Sequence, residues 1–200
     1  MSVLNYLLEQ SLVYRLWQTP FANAKLEPLF ANNSIARARR VLDVGCGPGT
    51  NTPLFEKADY LGIDINPSYI DHARQKHHRN FLVADVSTYD QKPERDFDFI
   101  LVNSFLHHLD TPATSTILSR LQSWLSADGH IHVLELVRPE EGMLPKFMAR
   151  IDRGKFPRPL PEWRNLFAEA FEIEQFEPYP LRHLGVELWS MIYCMGRRKS

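Results

Sequence analysis

From residue 39 onward, apolar and polar positions alternate between strand-like and helix-like patterns. Arg40–Val44 (RVLDV) reads as a short apolar strand, followed by a helix near Asn51–Lys57. Tyr60–Ile63 is a second strand and leads into a helix with Asn66 as its cap and Pro67 at its first position, where no intrahelical N–H is needed. Asn80–Ala84 is a third strand, and the loop after it is too short for a full helix. Phe97–Val102 is an unbroken apolar run, the pattern of a central parallel strand buried on both faces. Thr111 and Pro112 start a helix with Ile117, Leu118, Leu121, Trp124 and Leu125 along one side, and Asp128-Gly129 turns into a strand over Ile131–Val137. Strands alternating with helices imply a parallel sheet with right-handed crossovers.

The flanks differ. Val3, Leu4, Leu7, Leu8, Leu12, Val13, Leu16 and Trp17 recur at spacings of three and four, predicting an amphipathic helix that ends before Pro20. A second short helix is predicted over Asn23–Ala31. Arg138–Pro161 holds five of the fourteen prolines and has no clear period, so it reads as an inserted segment. After a helix near Trp163–Ala170, Phe171–Glu177 and Leu188–Gly196 read as two strands with no helix between them, a hairpin closing the sheet.

Composition narrows the picture a little further. The chain has 200 residues, 44% hydrophobic and 24% charged, values ordinary for one soluble globular domain. A net charge of −1 gives no general reason to bind nucleic acid or a membrane surface. Cys46 and Cys194 have no metal-ligand spacing and fit a reducing compartment. The N-terminus lacks a basic start and carries Glu9 inside its apolar stretch, which argues against a signal peptide, and no run of 18 apolar residues occurs. The expectation is a cytoplasmic protein with no nucleic-acid, membrane or metal partner and an oligomeric state left open.

The candidate chemistry is concentrated in Val41–Thr50, VLDVGCGPGT. A strand runs into three glycines at alternate positions, Gly45, Gly47 and Gly49, with Asp43 two residues before the first. Such a turn lets a ligand lie against bare backbone at the start of a helix. A dinucleotide would require the third glycine one position later, where Thr50 stands, and Asp43 would repel its pyrophosphate. A ligand with an ammonium, a carboxylate and no phosphate fits better. The segment resembles the first motif of the class I S-adenosylmethionine-dependent methyltransferases, D/E-x-G-x-G-x-G, over a region of roughly Arg39 to Arg197. That resemblance implies a Rossmann-like α/β fold with a seven-stranded sheet ordered 3-2-1-4-5-7-6 and strand 7 antiparallel. It also implies S-adenosylmethionine, or its product S-adenosylhomocysteine, as ligand.

In such sheets the ligand lies beyond the carboxyl ends of the strands, and suitable groups stand there in order. Asp64 ends strand two, where a carboxylate can take both ribose hydroxyls, and Ile65 beside it packs on the adenine or ribose. By resemblance, Asp85 at the end of strand three accepts from the adenine amino group and the N–H of Val86 meets the ring. Asn103 and Ser104 end strand four, at the position that by the same resemblance faces the methionine moiety. Together with Asp43, Gly45, Cys46, Gly47, Gly49 and His108 these form the expected cofactor set. Plainer readings exist for each acid: Asp43 as a cap of the turn, Asp64 as a helix cap, Asp85 as the start of a loop. Cys46 reads as a small packing residue.

Methyl transfer is an in-line displacement that needs a base only when the acceptor carries a proton of high pKa. In NSFLHHLD, His107 is the base candidate and His108 the contact on the cofactor side, with Tyr14 a further base candidate from the N-terminal helix. Asn103-Ser104-Phe105 departs from the D/N/S-P-P-Y/F/W motif of amino-methylating enzymes, and Asn103 from the Asp of metal-dependent catechol methyltransferases. Lys146 to Arg164 holds six basic residues against Asp152 and Glu162, which would favour an anionic acceptor unless those charges simply solvate a loop. Tyr6, Tyr14, Arg15, Trp17 and Phe21 form a second possible wall of the acceptor site, or core-facing rings. The resulting division is a helical cap over 1–38, a cofactor-binding core over 39–137, a substrate lid over 138–161, and a closing helix and hairpin over 162–200. The expected function is methyl transfer to an O, N or C atom of a small metabolite. The alternatives are a cofactor-binding protein of the same fold with lost or altered chemistry, and an NAD-dependent reductase.

Overall fold

A computed structural model describes residues 22–31, 33–89, 94–138, 156–183 and 186–199. Its centre is a seven-stranded sheet: β1 (Arg40–Val44), β2 (Asp59–Asp64), β3 (Asn80–Val83), β4 (Phe97–Asn103), β5 (Leu125–Leu136), β6 (Phe171–His183) and β7 (Val186–Arg198). The order is β3-β2-β1-β4-β5-β7-β6, as expected from the family motif. Strands β1 to β5 pair in parallel, and β7 runs antiparallel to both neighbours. The helices are α1 (Ala22–Ala31), α2 (Ser34–Arg37), α3 (Pro67–His77), α4 (Thr111–Trp124) and α5 (Leu160–Ala170). Their starts obey local chemistry: Asn66 Oδ1 accepts from Ser68 N at 3.0 Å, and Asp110 Oδ1 from Ala113 N at 3.0 Å.

The period of two divides each central strand between two apolar layers. Leu42, Val44, Ile100 and Val102 face a core shared with Ile117, Leu118 and Leu121 of α4 and Trp163 and Phe167 of α5. Val41, Phe99 and Leu101 face the other core, with Leu26 and Leu29 of α1 and Ile70 and Ala73 of α3. This second layer also holds His132, whose Nδ1 lies 2.8 Å from Tyr193 Oη while its ring stacks on Phe99 at 4.1 Å. Burial pushes the His132 imidazole down to about 3, so it stays neutral at physiological pH.

Three boundaries differ from expectation, each for a physical reason. The helix predicted near Asn51–Lys57 is only a 3₁₀ turn, Thr52–Phe55, because the chain has few residues between the glycine turn and β2. Strand β5 begins at Leu125, pairing with Phe97 across an irregularity, so Asp128-Gly129 lies within the strand. Strand β6 runs on through Pro178 and Pro180, which an edge strand tolerates because its outward N–H groups have no partner to lose. The amphipathic helix predicted before Pro20 lies outside the described residues, and so do 139–155 of the inserted segment. The ends of that segment meet: Val137 bridges Arg158, and Arg138 N donates to Arg158 O at 2.8 Å.

Candidate active site

The strand ends that carry the expected acids converge on the glycine turn. Gly45 N and Cys46 N donate to Ile63 O at 2.8 and 3.1 Å, fastening the turn to the end of β2. Asp64 adds a second clamp: its Oδ2 accepts from Gly47 N at 2.9 Å and its Oδ1 from Asn66 N at 2.8 Å. Gly47 has φ +54°, and a Cβ built on it meets nothing within 4 Å among the described residues, so its open side there is a cradle rather than a packing contact. Cys46 enters the turn through its backbone and through its thiol, which donates to Gly47 O at 3.6 Å. Its thiol is buried in the core, and burial pushes its pKa up, which fits the packing role and no nucleophile.

Asp43 is fully buried beneath the turn. Its Oδ2 accepts from Tyr60 Oη at 2.8 Å and, at 3.5 Å, from Asn51 Nδ2. Asn51 Oδ1 in turn accepts from Asn103 Nδ2 at 3.4 Å, which links the ends of β1 and β4. Burial pushes the Asp43 carboxyl up to about 7 against the lowering effect of these bonds. Asp43 Oδ1 and Asn103 Oδ1 are buried without a hydrogen-bond partner among the described residues. Two orphaned acceptors beside an open glycine cradle fit a ligand that brings its own N–H donors, such as the ammonium of an amino acid. The amino-acid end of S-adenosylmethionine meets that description.

The other expected residues stand around this centre. Ile65 is 65% exposed, an apolar side chain displayed at the end of β2. Asp85 closes its own turn, with Oδ1 accepting from Ser87 N at 2.8 Å and Ser87 Oγ at 2.6 Å. Val86 is buried, and its carbonyl accepts from Arg120 Nη1 at 2.6 Å. Ser104 has φ +55°, an uncommon backbone for a serine, and its N–H donates to Leu134 O at 2.8 Å.

The two histidines occupy environments that no local pattern announces. His107, the base candidate, is 2% exposed, with Nδ1 only 2.6 Å from Glu135 Oε2. Glu135 is fully buried, and its Oε1 accepts from Phe105 N at 2.7 Å and Leu106 N at 2.6 Å. His107 is thereby a member of a buried network. His108 is exposed, its ring 4.2 Å from that of His107. Tyr14 lies outside the described residues.

Arg158 completes the network. It donates to Leu109 O at 2.8 Å, pairs with Glu162 at 3.1 Å and lies over the Trp163 ring at 4.8 Å. Phe156 N donates to His107 O at 2.9 Å. Arg158 is therefore structural, and Arg164 lies over Phe176 at 5.0 Å, so two of the six basic residues counted in this region serve packing. Lys146, Arg150, Arg153 and Lys155 lie outside the described residues. Sequence reading missed Tyr60, Asn51 and Glu135. For Glu135 a signal existed: a lone acid inside the apolar run Ile131–Val137.

A strand order ending 5-7-6, a glycine turn between β1 and β2 and acids at successive strand ends define a class of enzyme. The chain belongs to the class I S-adenosylmethionine-dependent methyltransferases, and a family described as a methyltransferase domain matches residues 41–129. It is similar to a trans-aconitate 2-methyltransferase of Delftia acidovorans, 32% identical over 195 residues that cover 86% of this chain and 70% of that one. A trans-aconitate 2-methyltransferase of Methylobacterium radiotolerans is 34% identical over 123 residues, 58% of this chain and 46% of that protein. The chain thus spans about half of one of these relatives and 70% of the other. The N-methyltransferase NodS of Bradyrhizobium japonicum WM9, solved with S-adenosyl-L-homocysteine, matches the fold with a TM-score of 0.72 at 18% identity, over 94% of this chain and 92% of that one. Among the described residues no helix is long and apolar enough to cross a membrane.

Proposed function

We propose that this chain transfers a methyl group from S-adenosylmethionine to a carboxylate oxygen of a small polycarboxylic acid. The observation that carries the choice of acceptor is the burial of His107, 2% exposed and held through Nδ1 against Glu135. A carboxylate is already ionised at neutral pH, so alignment suffices and no base is required. The names of the relatives, trans-aconitate 2-methyltransferases, agree with an anionic acceptor of this kind. The basic residues between Lys146 and Lys155 supply charge of the matching sign.

In this reading Asp43 and the Gly45–Gly49 turn hold the amino-acid end of the cofactor, with Cys46 as a packing residue of the turn. Asp64 holds the ribose, Ile65 packs on the rings, and Asp85 with the Val86 N–H meets the adenine. Asn103 and Ser104 border the methionine end, with the exposed His108 at the rim. Bound S-adenosylmethionine supplies an electrophilic methyl group on a sulfonium sulfur.

The test is incubation with S-adenosylmethionine and a panel of trans-aconitate, a catechol and a primary amine, with mass spectrometry of the products. A monomethyl ester of the polycarboxylate is the expected product. Methylation of only the catechol or the amine would overturn the acceptor class. Asp64→Ala is expected to weaken S-adenosylhomocysteine binding by about 1.5–3 kcal/mol, the scale of a hydrogen bond to a charged group. It should also lower the thermal midpoint, because the same carboxylate clamps Gly47 and Asn66. Calorimetry showing unchanged affinity would remove Asp64 from the site.

A further inference from the structure

Glu135 stands on the same face of β5 as Val133 and Val137, both of which are buried in the apolar layer. A carboxylate in such a layer is retained only if its hydrogen bonds are strong and numerous. It accepts from two consecutive backbone N–H groups, Phe105 and Leu106, and from His107 Nδ1. Consecutive N–H groups converging on one oxygen form an anion nest, here filled by the protein's own side chain. The nest begins directly after Ser104, whose left-handed backbone costs energy and persists only if its surroundings hold it. Two anchors do so: the Ser104 N–H to Leu134 O, and the carboxylate that draws the next two N–H groups toward β5.

We propose that Glu135 is a positioning residue for cofactor binding: it fixes the Asn103–His108 turn and thereby sets Asn103 and Ser104 at the methionine end of the cleft. The contact from His107 Nδ1 adds a further hydrogen bond that helps the carboxylate stay buried, and the placement of His107 against Glu135 is structural. This inference rests on the proposed cofactor placement at Asn103 and Ser104. Its first readout needs no ligand.

The experiment compares Glu135→Gln with Val133→Ala, a change in the same strand and the same apolar layer that leaves the turn untouched. Amide exchange at Phe105 and Leu106 in the ligand-free protein should speed up at least about tenfold in Glu135→Gln, beyond any change in global stability. Calorimetry should show the S-adenosylhomocysteine Kd rising about tenfold in Glu135→Gln and staying within about twofold in Val133→Ala. If Glu135→Gln does not fold, Glu135→Asp, one methylene shorter, carries the same two readouts. Affinity that falls in both variants in step with their urea midpoints would reduce Glu135 to a stability role and overturn the proposal. So would unchanged exchange at Phe105 and Leu106. A parent protein that does not bind S-adenosylhomocysteine would overturn the cofactor reading instead, while the exchange data would still decide whether Glu135 holds the turn.

Discussion

Affinity for S-adenosylhomocysteine is expected to rise by up to about tenfold per pH unit on approaching pH 7 from below, and to level off above it. The cause is Asp43, whose burial holds its carboxyl at about 7 in the ligand-free protein. An ammonium beside Asp43 Oδ1 favours the ionised form, so binding below that pH must expel a proton. Titrations in two buffers of different ionisation enthalpy at pH 6 should report proton release approaching one per ligand. Asp43→Asn should bind more weakly at pH 8, release no proton and lose the pH dependence. The stability effect has the opposite sense. The folded pKa lies above the unfolded value of 3.8, so ionisation of Asp43 penalises the fold. Ligand-free stability contributed by this group is full below about pH 4, declines up to about pH 7 and is flat beyond. At pH 8 the Asn variant should therefore unfold at higher denaturant than the parent while binding ligand worse. A variant that matches the parent in both affinity and pH profile would show that Asp43 meets no cation.

Gly47→Val should remove S-adenosylhomocysteine binding at the concentrations that saturate the parent, a loss of about 100-fold or more. Left-handed backbone at φ +54° costs a β-branched residue roughly 1–3 kcal/mol, and the side chain projects into the cradle. The neighbouring glycines give a control with a different signature. A Cβ at Gly45 would come within 2.7 Å of Phe105 Cδ2, and one at Gly49 within 2.7 Å of His77 Cδ2. Alanine at either position should therefore lower the melting temperature. At Gly47, where none of the described residues is within 4 Å of an added Cβ, Ala should lower affinity more than stability. Parent-like affinity in Gly47→Val would mean that the ligand does not lie against this turn.

The strands were legible because a buried parallel strand writes itself as an apolar run, as Phe97–Val102 does, and the helix starts because Asn66-Pro67 and Thr111-Pro112 carry their chemistry. The cofactor motif was legible because three glycines at alternate positions after a strand leave a bare backbone turn, which suits a ligand far better than it suits packing. The extent of β6 was not, since Pro178 and Pro180 contradict a strand until its place at the sheet edge is known. The role of His107 was hidden for a different reason. A histidine's protonation and access are set by its partner, and Glu135 approaches from another strand, far away in sequence. The Tyr60–Asp43–Asn51–Asn103 chain joins three strands and a turn, a set that is scattered along the sequence. Local chemistry placed the acids, while tertiary contacts decided which of them are already engaged.

The insertion of β7 between β5 and β6 imposes an order on assembly. Strand β6 is synthesised first, yet has no neighbour in the sheet until β7 follows and turns back. Until then β5 presents a bare row of N–H and C=O groups along its outer edge, with Glu135 and Leu136 on it. A nascent or partly unfolded chain is open there to pairing with a second copy. The hairpin is therefore the closure of the sheet as well as its border. Substitutions that weaken β7 should raise aggregation by leaving that edge bare.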